Sequence, residues 1–173
     1  MMMTTGTSAA SARPVGLAKR GELIVATGNA KPRLIGINHV ALEVGDIDQA
    51  LAFYGSVFDF HLRSRAPGMA FLDMGDQFLA LSEGRTQAPD TNRHFGIVVD
   101  DRSRVKELAV AAGGRFVEGK GLELLDPWGN RLEVVEYRSI QFSKTDVVLR
   151  HLGVDGEKTA AAKAELRDKG IAG

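Results

Sequence analysis

Three residues of types that bind metal ions stand at related places in the chain: His39, His94 and Glu133. His39 is the third residue of I-N-H-V-A-L-E-V, and His94 is the third residue of N-R-H-F-G-I-V-V. Two imidazoles and one carboxylate form a common catalytic ligand set for non-haem Fe(II) and for Zn(II). Three protein ligands also leave coordination positions open for water and substrate. We therefore expect these residues to hold one divalent metal ion (Fe, Mn, Zn or Ni).

The alternation of apolar residues indicates where these three side chains point. In a half-buried strand every second side chain faces the core, and the residues between face the other way. The positions assigned to the helix side are Val40, Leu42, Val44, Leu79, Leu81, Phe95, Ile97, Val99, Leu132 and Val134. His39, His94 and Glu133 then share the opposite, concave surface. A carboxylate in such a half-apolar cup is costly unless a cation compensates its charge.

An internal duplication supports equivalent positions for the two histidines. Residues 37–46 match residues 92–101 at an offset of 55, and residues 72–81 lie over residues 125–134 at an offset of 53. Each copy reads strand, helix, strand, strand, strand. The pattern predicts an α+β fold in which two βαβββ modules form a curved eight-stranded mixed sheet with helices on its convex side. A structural histidine has no reason to recur at the same point of both copies.

The predicted boundaries follow from turn and capping residues. We expect a mobile leader over 1–33, with a short strand near 22–27, the paired domain over 34–138, and a helical C-terminal extension over 139–173. Asp46 caps the first helix, and Asp100 or Asp101 caps the second. The C-terminal helices are predicted at 145–152 and 157–169. The predicted strands cover 34–44, 60–65, 69–74, 77–82, 94–99, 115–118, 121–125 and 131–137.

Composition excludes several classes of function. Lys+Arg and Asp+Glu balance at 22 each, so there is no basic excess to bind nucleic acid or an anionic membrane. The chain has no cysteine, which rules out disulfides and thiolate metal ligands. No apolar run reaches the ~18 residues of a membrane span, and the leader lacks the apolar stretch of a signal peptide. We expect a cytoplasmic protein that binds a small molecule.

The chain resembles the vicinal oxygen chelate superfamily, which includes glyoxalase I, fosfomycin and bleomycin resistance proteins, methylmalonyl-CoA epimerase and extradiol dioxygenases. The resemblance rests on I-N-H-V-A-L-E-V-G-D-I-D-Q-A-L-A-F-Y, R-H-F-G-I-V-V-D-D and L-D-P-W-G-N-R-L-E-V-V-E, within 34–137. It implies paired βαβββ modules, a metal in the cup, and often a homodimer that completes the site. His39, His94 and Glu133 match three of the family's metal positions.

The departures from the family pattern bear on the reaction. Glyoxalase I and the epimerase resemble each other in a fourth ligand, Glu or Gln, where this chain has Ala80, and Glu83 falls on the helix side. The three-ligand set resembles that of extradiol dioxygenases, although the tyrosine expected near 121–125 is missing. Fosfomycin enzymes carry a threonine where this chain has Ala41. The leading expectation is a dioxygenase-like metalloenzyme. The alternatives are a glyoxalase-type lyase or isomerase with an incomplete ligand set, and a drug-binding protein.

The same alternation places Phe78, Arg131 and Val135 on the concave face as candidate substrate contacts. Arg63 and Arg65 are further candidates, as positive charges for an anionic substrate, and His61 is a candidate for the pocket wall. Trp128, in the D-P-W-G-N turn, is expected to pack or to form the rim. The sequence assigns no general base, and the C-terminal helices are expected to be structural or interfacial.

Overall fold

The structure is a computed structural model that describes residues 32–119 and 121–171. The leader strand predicted near 22–27 lies outside the described residues. The first module comprises β1 (His39–Val44), α1 (Ile47–Val57), β2 (His61–Ala66), β3 (Met69–Asp73) and β4 (Phe78–Glu83). The second comprises β5 (Phe95–Val99), α2 (Arg102–Ala111), β6 (Arg115–Phe116), β7 (Glu123–Leu125) and β8 (Arg131–Glu136). A 3-10 turn (Tyr137–Ser139), α3 (Asp146–Leu152) and α4 (Ala160–Asp168) complete the chain.

The predicted α+β class, the two βαβββ modules and the C-terminal helices are confirmed. Within the described residues, however, the strands do not join into one eight-stranded sheet. They form two four-stranded sheets with the orders β1-β4-β3-β2 and β5-β8-β7-β6. In each sheet the first strand of the module, β1 or β5, lies at one edge. It runs parallel to the last strand of its module, β4 or β8. The remaining pairs are antiparallel.

Local signals position the two module helices. The Asp46 side chain accepts a hydrogen bond from the backbone N–H of Gln49 at 2.8 Å, which satisfies one free donor of the first turn of α1. Asp101, rather than Asp100, caps α2 in the same way, through the N–H of Arg104 at 2.9 Å. Each helix lies immediately after the first strand of its module, as the sequence repeat predicts.

The first strand is shorter than predicted. The segment 34–38 forms no strand, and Leu34 and Ile35 are fully exposed. Strand β4 begins at Phe78 directly opposite His39, so residues before His39 have no partner strand beside them. Backbone pairing ends with a hydrogen bond from the Phe78 N–H to the Asn38 carbonyl at 3.3 Å.

The modules pack through their helices and the convex sides of their sheets. Helices α1 and α2 are in contact, and one apolar cluster contains residues of both modules. The helix-facing residues predicted from alternation belong to this cluster or pack against it. Gly45 allows a close approach between modules, because a Cβ there would lie only 2.5 Å from Nε1 of Trp128. Trp128 is therefore a packing residue on the helix side.

A buried polar network also joins the modules. Asp126 and Asn130 are almost fully buried, and the Tyr54 hydroxyl of α1 donates to Oδ2 of Asp126 at 3.0 Å. The Asn130 amide donates to Asp126 Oδ2 at 2.7 Å and to the carbonyl of Glu43 in β1 at 3.0 Å. The guanidinium of Arg85 donates to the Asn130 side chain. These bonds satisfy the buried side chains of Asp126 and Asn130 and fix the start of β8 against the first module.

The C-terminal extension is attached to both modules. Lys144 pairs with Asp76 in the β3–β4 turn, and Leu149 of α3 is buried. A Cβ at Gly75 would lie 2.8 Å from Cγ1 of Val148, so α3 packs directly on that turn. Burial lowers the pKa of Lys158 to about 8, and its Nζ donates to the carbonyls of Tyr137 and Phe142. Over the described part of the chain, none of the helices combines the length and apolarity needed to cross a membrane.

Candidate functional site

The second module brings two of the three predicted ligand residues together. His94 directly precedes β5, and Glu133 lies opposite Gly96 on the neighbouring strand β8. Nε2 of His94 lies 3.6 Å from Oε2 of Glu133. Both side chains are partly open to solvent, at 42% and 39% exposure, so a ligand can reach them. Gly96 between them carries no side chain to cover the pair.

The hydrogen bond at Nδ1 of His94 indicates which of its two ring nitrogens carries the proton. Nδ1 lies 2.9 Å from the carbonyl oxygen of Asn92, and a carbonyl only accepts, so Nδ1 is the protonated nitrogen. In the neutral ring, Nε2 is then an acceptor that faces another acceptor, the Glu133 carboxylate. Such a pair is stable when a cation lies between the two atoms or when the ring is itself protonated. A ring N–H donated to a backbone carbonyl, as at Nδ1 of His94, is the arrangement by which proteins orient metal-binding histidines.

The first module carries the third predicted ligand residue in a comparable arrangement. Nδ1 of His39 lies 2.9 Å from the side-chain oxygen of Asn38, which leaves Nε2 free. The imidazole stacks on Phe78 of β4, with ring centroids 4.6 Å apart and an interplanar angle of 10°. Phe71 of β3 meets the same phenylalanine edge-on at 6.0 Å. His39 is therefore held by an aromatic wall on one side and by Asn38 at its base.

Within the part of the chain that the structure describes, His39 is not grouped with His94 and Glu133. No group of three or more His, Asp or Glu side chains within residues 32–119 and 121–171 is arranged to hold a metal ion. The reason is the division into two sheets: His39 lies on the edge strand of one, and His94 precedes the edge strand of the other. Within the described residues the three predicted ligand residues thus lie in two separate places, one at His39 and one at His94 and Glu133, which we call the two half-sites. The sequence left open whether the site forms within one chain or across two.

The fourth-strand position contains no carboxylate. Ala80 lies between Ala41 of β1 and Phe71 of β3 on the cup side and is only 6% exposed. Glu83 lies opposite Val44, whose side chain belongs to the core, so Glu83 is on the helix-side row as predicted. No ligand at this strand can therefore come from either residue.

The other predicted pocket residues have different surroundings. Arg63 places its guanidinium carbon 4.8 Å from the Phe78 ring centroid, beside the His39 stack. Arg131 forms an ion pair with Glu123, with Nη2 and Oε2 2.5 Å apart. The charge of Arg131 is therefore compensated within the chain. His61 lies at the outer strand, where its ring is 6.2 Å from that of His151 in α3.

The expectation that Arg65 faces the cup is not met. Its guanidinium pairs with Asp48 in the first turn of α1 at 2.6 Å, on the helix side. The register of β2 against β3 shifts between Leu62 and Ser64, so one residue is left unpaired at Arg63. Beyond this bulge the side chains exchange faces, which turns Arg65 away from the cup.

Arg102, the first residue of α2, was not predicted from the sequence. Its Nε is buried without a hydrogen-bond partner among the described residues. A Cβ at Gly121 would lie 3.9 Å from Nη2 of Arg102 and 3.9 Å from Oε1 of Glu133, so the two groups flank the same space. In the sequence, Arg102 is marked only by its position directly after Asp101, the residue that caps α2.

Two βαβββ modules, with one histidine at the start of β1 and one directly before β5, define the class of protein. The model of the Glyoxalase/Bleomycin resistance protein/Dioxygenase superfamily matches residues 36–134, and the chain belongs to this superfamily. The chain is similar to a putative glyoxalase family protein from Bacillus anthracis, with 20% identity, a TM-score of 0.52, and coverage of 62% of this chain and 98% of that one.

Fosfomycin resistance proteins have the same fold. The chain is 21% identical to FosX from Mesorhizobium loti, with a TM-score of 0.51 and coverage of 59% of this chain and 92% of that one. It is 18% identical to a mutant of FosX from Listeria monocytogenes complexed with Mn(II) and 1S,2S-dihydroxypropylphosphonic acid, with a TM-score of 0.52 and coverage of 59% and 90%. At these identities the comparisons establish the fold alone.

Proposed function

We propose that this protein is a divalent-metal-dependent enzyme whose site combines His94 and Glu133 of one copy with His39 of a second copy. The observation that carries the proposal is the His94–Glu133 pair, in which Nε2 lies 3.6 Å from a carboxylate oxygen while Nδ1 lies at the carbonyl of Asn92. An imidazole nitrogen and a carboxylate oxygen held this close are suited to a shared cation. One imidazole and one carboxylate are too few for a working site, which is why a further ligand is required.

A second copy is the natural source of that ligand. Within the described residues, β1 pairs only with β4 and β5 only with β8, so each sheet has an unpaired outer edge. The cup faces beside these edges are open: His39, Ala41 and Glu43 are exposed on β1, and His94 and Gly96 at β5. Two copies related by a twofold axis would place each first-module cup against a second-module cup, which creates two identical sites.

The chain's own residues would bind and orient the reactants. The Asn38 and Asn92 oxygens hold both histidines by Nδ1, so that Nε2 is the nitrogen that would bind the ion, and Glu133 supplies the compensating negative charge. Phe78 and Phe71 form an apolar wall that limits water. A bound divalent ion would supply Lewis-acid stabilisation of an oxyanion on a substrate that chelates it through neighbouring oxygens. No residue near the pair is assigned as general base.

The alanine at position 80 bears on which type of reaction the site could catalyse. Glyoxalase-type proton transfer is expected to need a carboxylate at this position, and the alanine is closed in by Ala41 and Phe71. An open three-ligand site favours extradiol-dioxygenase-like chemistry, in which the ion is iron. The Mn(II) in the FosX complex supports manganese as the second ion to test, with lyase-type chemistry as the second candidate function.

Subunit complementation tests the shared site. Elemental analysis of protein purified without chelator should find metal in the wild type and little in His39→Ala, His94→Ala or Glu133→Ala. Mixed dimers of His39→Ala with Glu133→Ala should regain about half the wild-type metal, because one of the two sites is then intact. The His151→Ala variant is the matched control and should keep its metal. Mixed dimers that stay empty while each homodimer folds would refute the shared arrangement.

The reaction class is tested separately. Iron-loaded protein incubated anaerobically with catechols and then exposed to oxygen should form the yellow ring-cleavage product. If the protein binds Mn(II) but not iron, and no catechol is cleaved, the result would contradict the dioxygenase hypothesis and favour lyase-type chemistry.

A further inference from the structure

Two histidines that the proposed shared site does not use face each other between the first module and the C-terminal extension. His61 is the first residue of β2, and His151 lies in the last turn of α3. Their ring centroids are 6.2 Å apart, with an angle of 36° between the ring planes. Both residues are exposed, and among the described residues neither ring has a hydrogen-bond or salt-bridge partner. The pair is therefore open to a ligand from solution.

The packing of α3 fixes the backbone on both sides of this pair. A Cβ at Gly75 would lie 2.8 Å from Cγ1 of Val148 and 3.4 Å from Cδ1 of Leu152, so α3 packs directly on the β3–β4 turn. On the other side, His61 is paired with Asp73 in the antiparallel ladder of β2 and β3. Secondary structure thus holds the two imidazoles opposite each other, while the exposed rings are free to rotate towards a common ligand.

The spacing and the charge suit one metal ion. Imidazole nitrogens bind zinc at about 2.0–2.1 Å, so the ring centroids of two histidines on one ion lie about 5–6 Å apart. A small rotation of the rings closes the remaining difference from 6.2 Å. Asp73 lies directly opposite His61, so its carboxylate adds negative charge on the same face of the sheet. Two imidazoles favour zinc, copper or nickel over manganese or magnesium.

This pair is separate from the proposed shared site. Strand β2 is the third strand from β1 in the first sheet, so His61 stands three strands away from His39. Neighbouring strands are about 4.8 Å apart, which separates the two histidines by roughly 14 Å. Residue 151 also lies beyond residues 36–134, which the superfamily model matches. The pair therefore depends on the C-terminal extension of this chain.

We propose that His61 and His151 bind one zinc ion that clamps the C-terminal extension to the first module. Water completes the coordination, because two imidazoles are fewer than the three or four protein ligands of typical zinc sites. The ion therefore exchanges freely and is bound when zinc is supplied, and the docking of α3 responds to the zinc concentration. The clamp is independent of the proposed enzyme activity, and the ion of the shared site is retained when His151 is replaced.

Hydrogen exchange of the α3 amides, residues 146–152, tests the clamp. Titration of zinc into His94→Gln, which lacks the proposed shared site, gives the Kd of the clamp. A ligand that binds only the docked helix suppresses its local opening, so zinc at 100 times this Kd should slow exchange of these amides about 100-fold in the wild type. His61→Gln and His151→Gln should each abolish the slowing and leave exchange without zinc nearly unchanged, because both residues are exposed. Mn(II) at the same concentration should not slow exchange.

The other two histidines of the chain, His39 and His94, are the matched controls. His39→Gln and His94→Gln should keep the full effect of zinc on α3. Exchange that zinc does not slow, or slows equally in His151→Gln, would overturn the clamp and leave the proposed shared site untouched. Loss of the slowing in His94→Gln would place the ion at the shared site and overturn the clamp as well.

Discussion

Replacement of Tyr54 by phenylalanine should destabilise the protein although it removes a single oxygen atom. Tyr54 is fully buried, and its hydroxyl donates to Oδ2 of Asp126, which is also fully buried. Burial and the neighbouring Asp126 carboxylate raise the pKa of Tyr54 well above its usual range, so the phenol stays protonated and remains a donor. The interaction therefore joins a neutral donor to a charged acceptor across the interface between the modules.

The magnitude follows from what Asp126 keeps. Its Oδ1 still accepts from the N–H groups of Trp128 and Asn130 at 3.0 and 2.8 Å, and Oδ2 still accepts from the Asn130 amide at 2.7 Å. The Asp126 carboxylate therefore loses one hydrogen bond and keeps three, and phenylalanine fills almost the same volume as tyrosine. A hydrogen bond to a charged group contributes roughly 1.5–3 kcal/mol, so we expect the free energy of unfolding to fall by about 2 kcal/mol.

Urea unfolding followed by Trp128 fluorescence and circular dichroism measures this change. With an m-value of about 2 kcal/mol/M, the midpoint should fall by about 1 M without a change in slope. The measurements need metal-free protein at one concentration, because ligand binding or association would add to the apparent stability. Tyr137→Phe is the control: the Tyr137 hydroxyl makes no hydrogen bond within the described residues, so its loss should have little effect. A loss below about 0.5 kcal/mol in Tyr54→Phe would refute the reasoning.

Three further perturbations test separate features. Burial alone would raise the pKa of Asp90, but hydrogen bonds from Arg93 and from the Arg131 backbone hold it below its usual value. The resulting stability is present above the ordinary carboxylate pKa and lost as pH falls through the lower folded value, so Asp90→Asn should flatten stability-versus-pH curves measured below about pH 4. Leu149→Ala should cost about 2–4 kcal/mol in urea unfolding while metal content is unchanged, since Leu149 anchors α3 away from the half-sites. Ala80→Glu adds a carboxylate beside the His39 half-site and should tighten Mn(II) binding about tenfold in a chelator competition; unchanged affinity would show that position 80 does not face the ion.

The repeat and the alternation of side chains carried most of the fold prediction. Period-two patterns assigned Val44, Leu81 and Val134 to the core side, and all three are buried there. Asp46 and Asp101 cap their helices because a short acidic side chain reaches a free N–H two or three residues on, a purely local property. Such features depend on neighbours in sequence, and they are readable without knowledge of the tertiary structure.

Two local irregularities escaped the sequence pattern. The bulge at Arg63 turned Arg65 to the helix side, because one unpaired residue reverses every later side chain of the strand. The segment 34–38 has an apolar composition but no strand beside it, so it forms no part of β1. In both cases the outcome depends on the partner strand, and alternation within a single segment contains no information about its partner.

The sequence by itself determined the module type, the faces of the strands and the residue types available for chemistry: His39, His94 and Glu133 as potential ligands, with no cysteine to compete. Only the tertiary structure decided which of them meet. His94 and Glu133 lie together because β5 and β8 are hydrogen-bonded neighbours, whereas His39 belongs to a separate sheet. It also decided that Arg102 borders Glu133 and that Tyr54 meets Asp126 across the modules. These are contacts between distant parts of the chain, and they are fixed by how the modules pack rather than by the local pattern of either one.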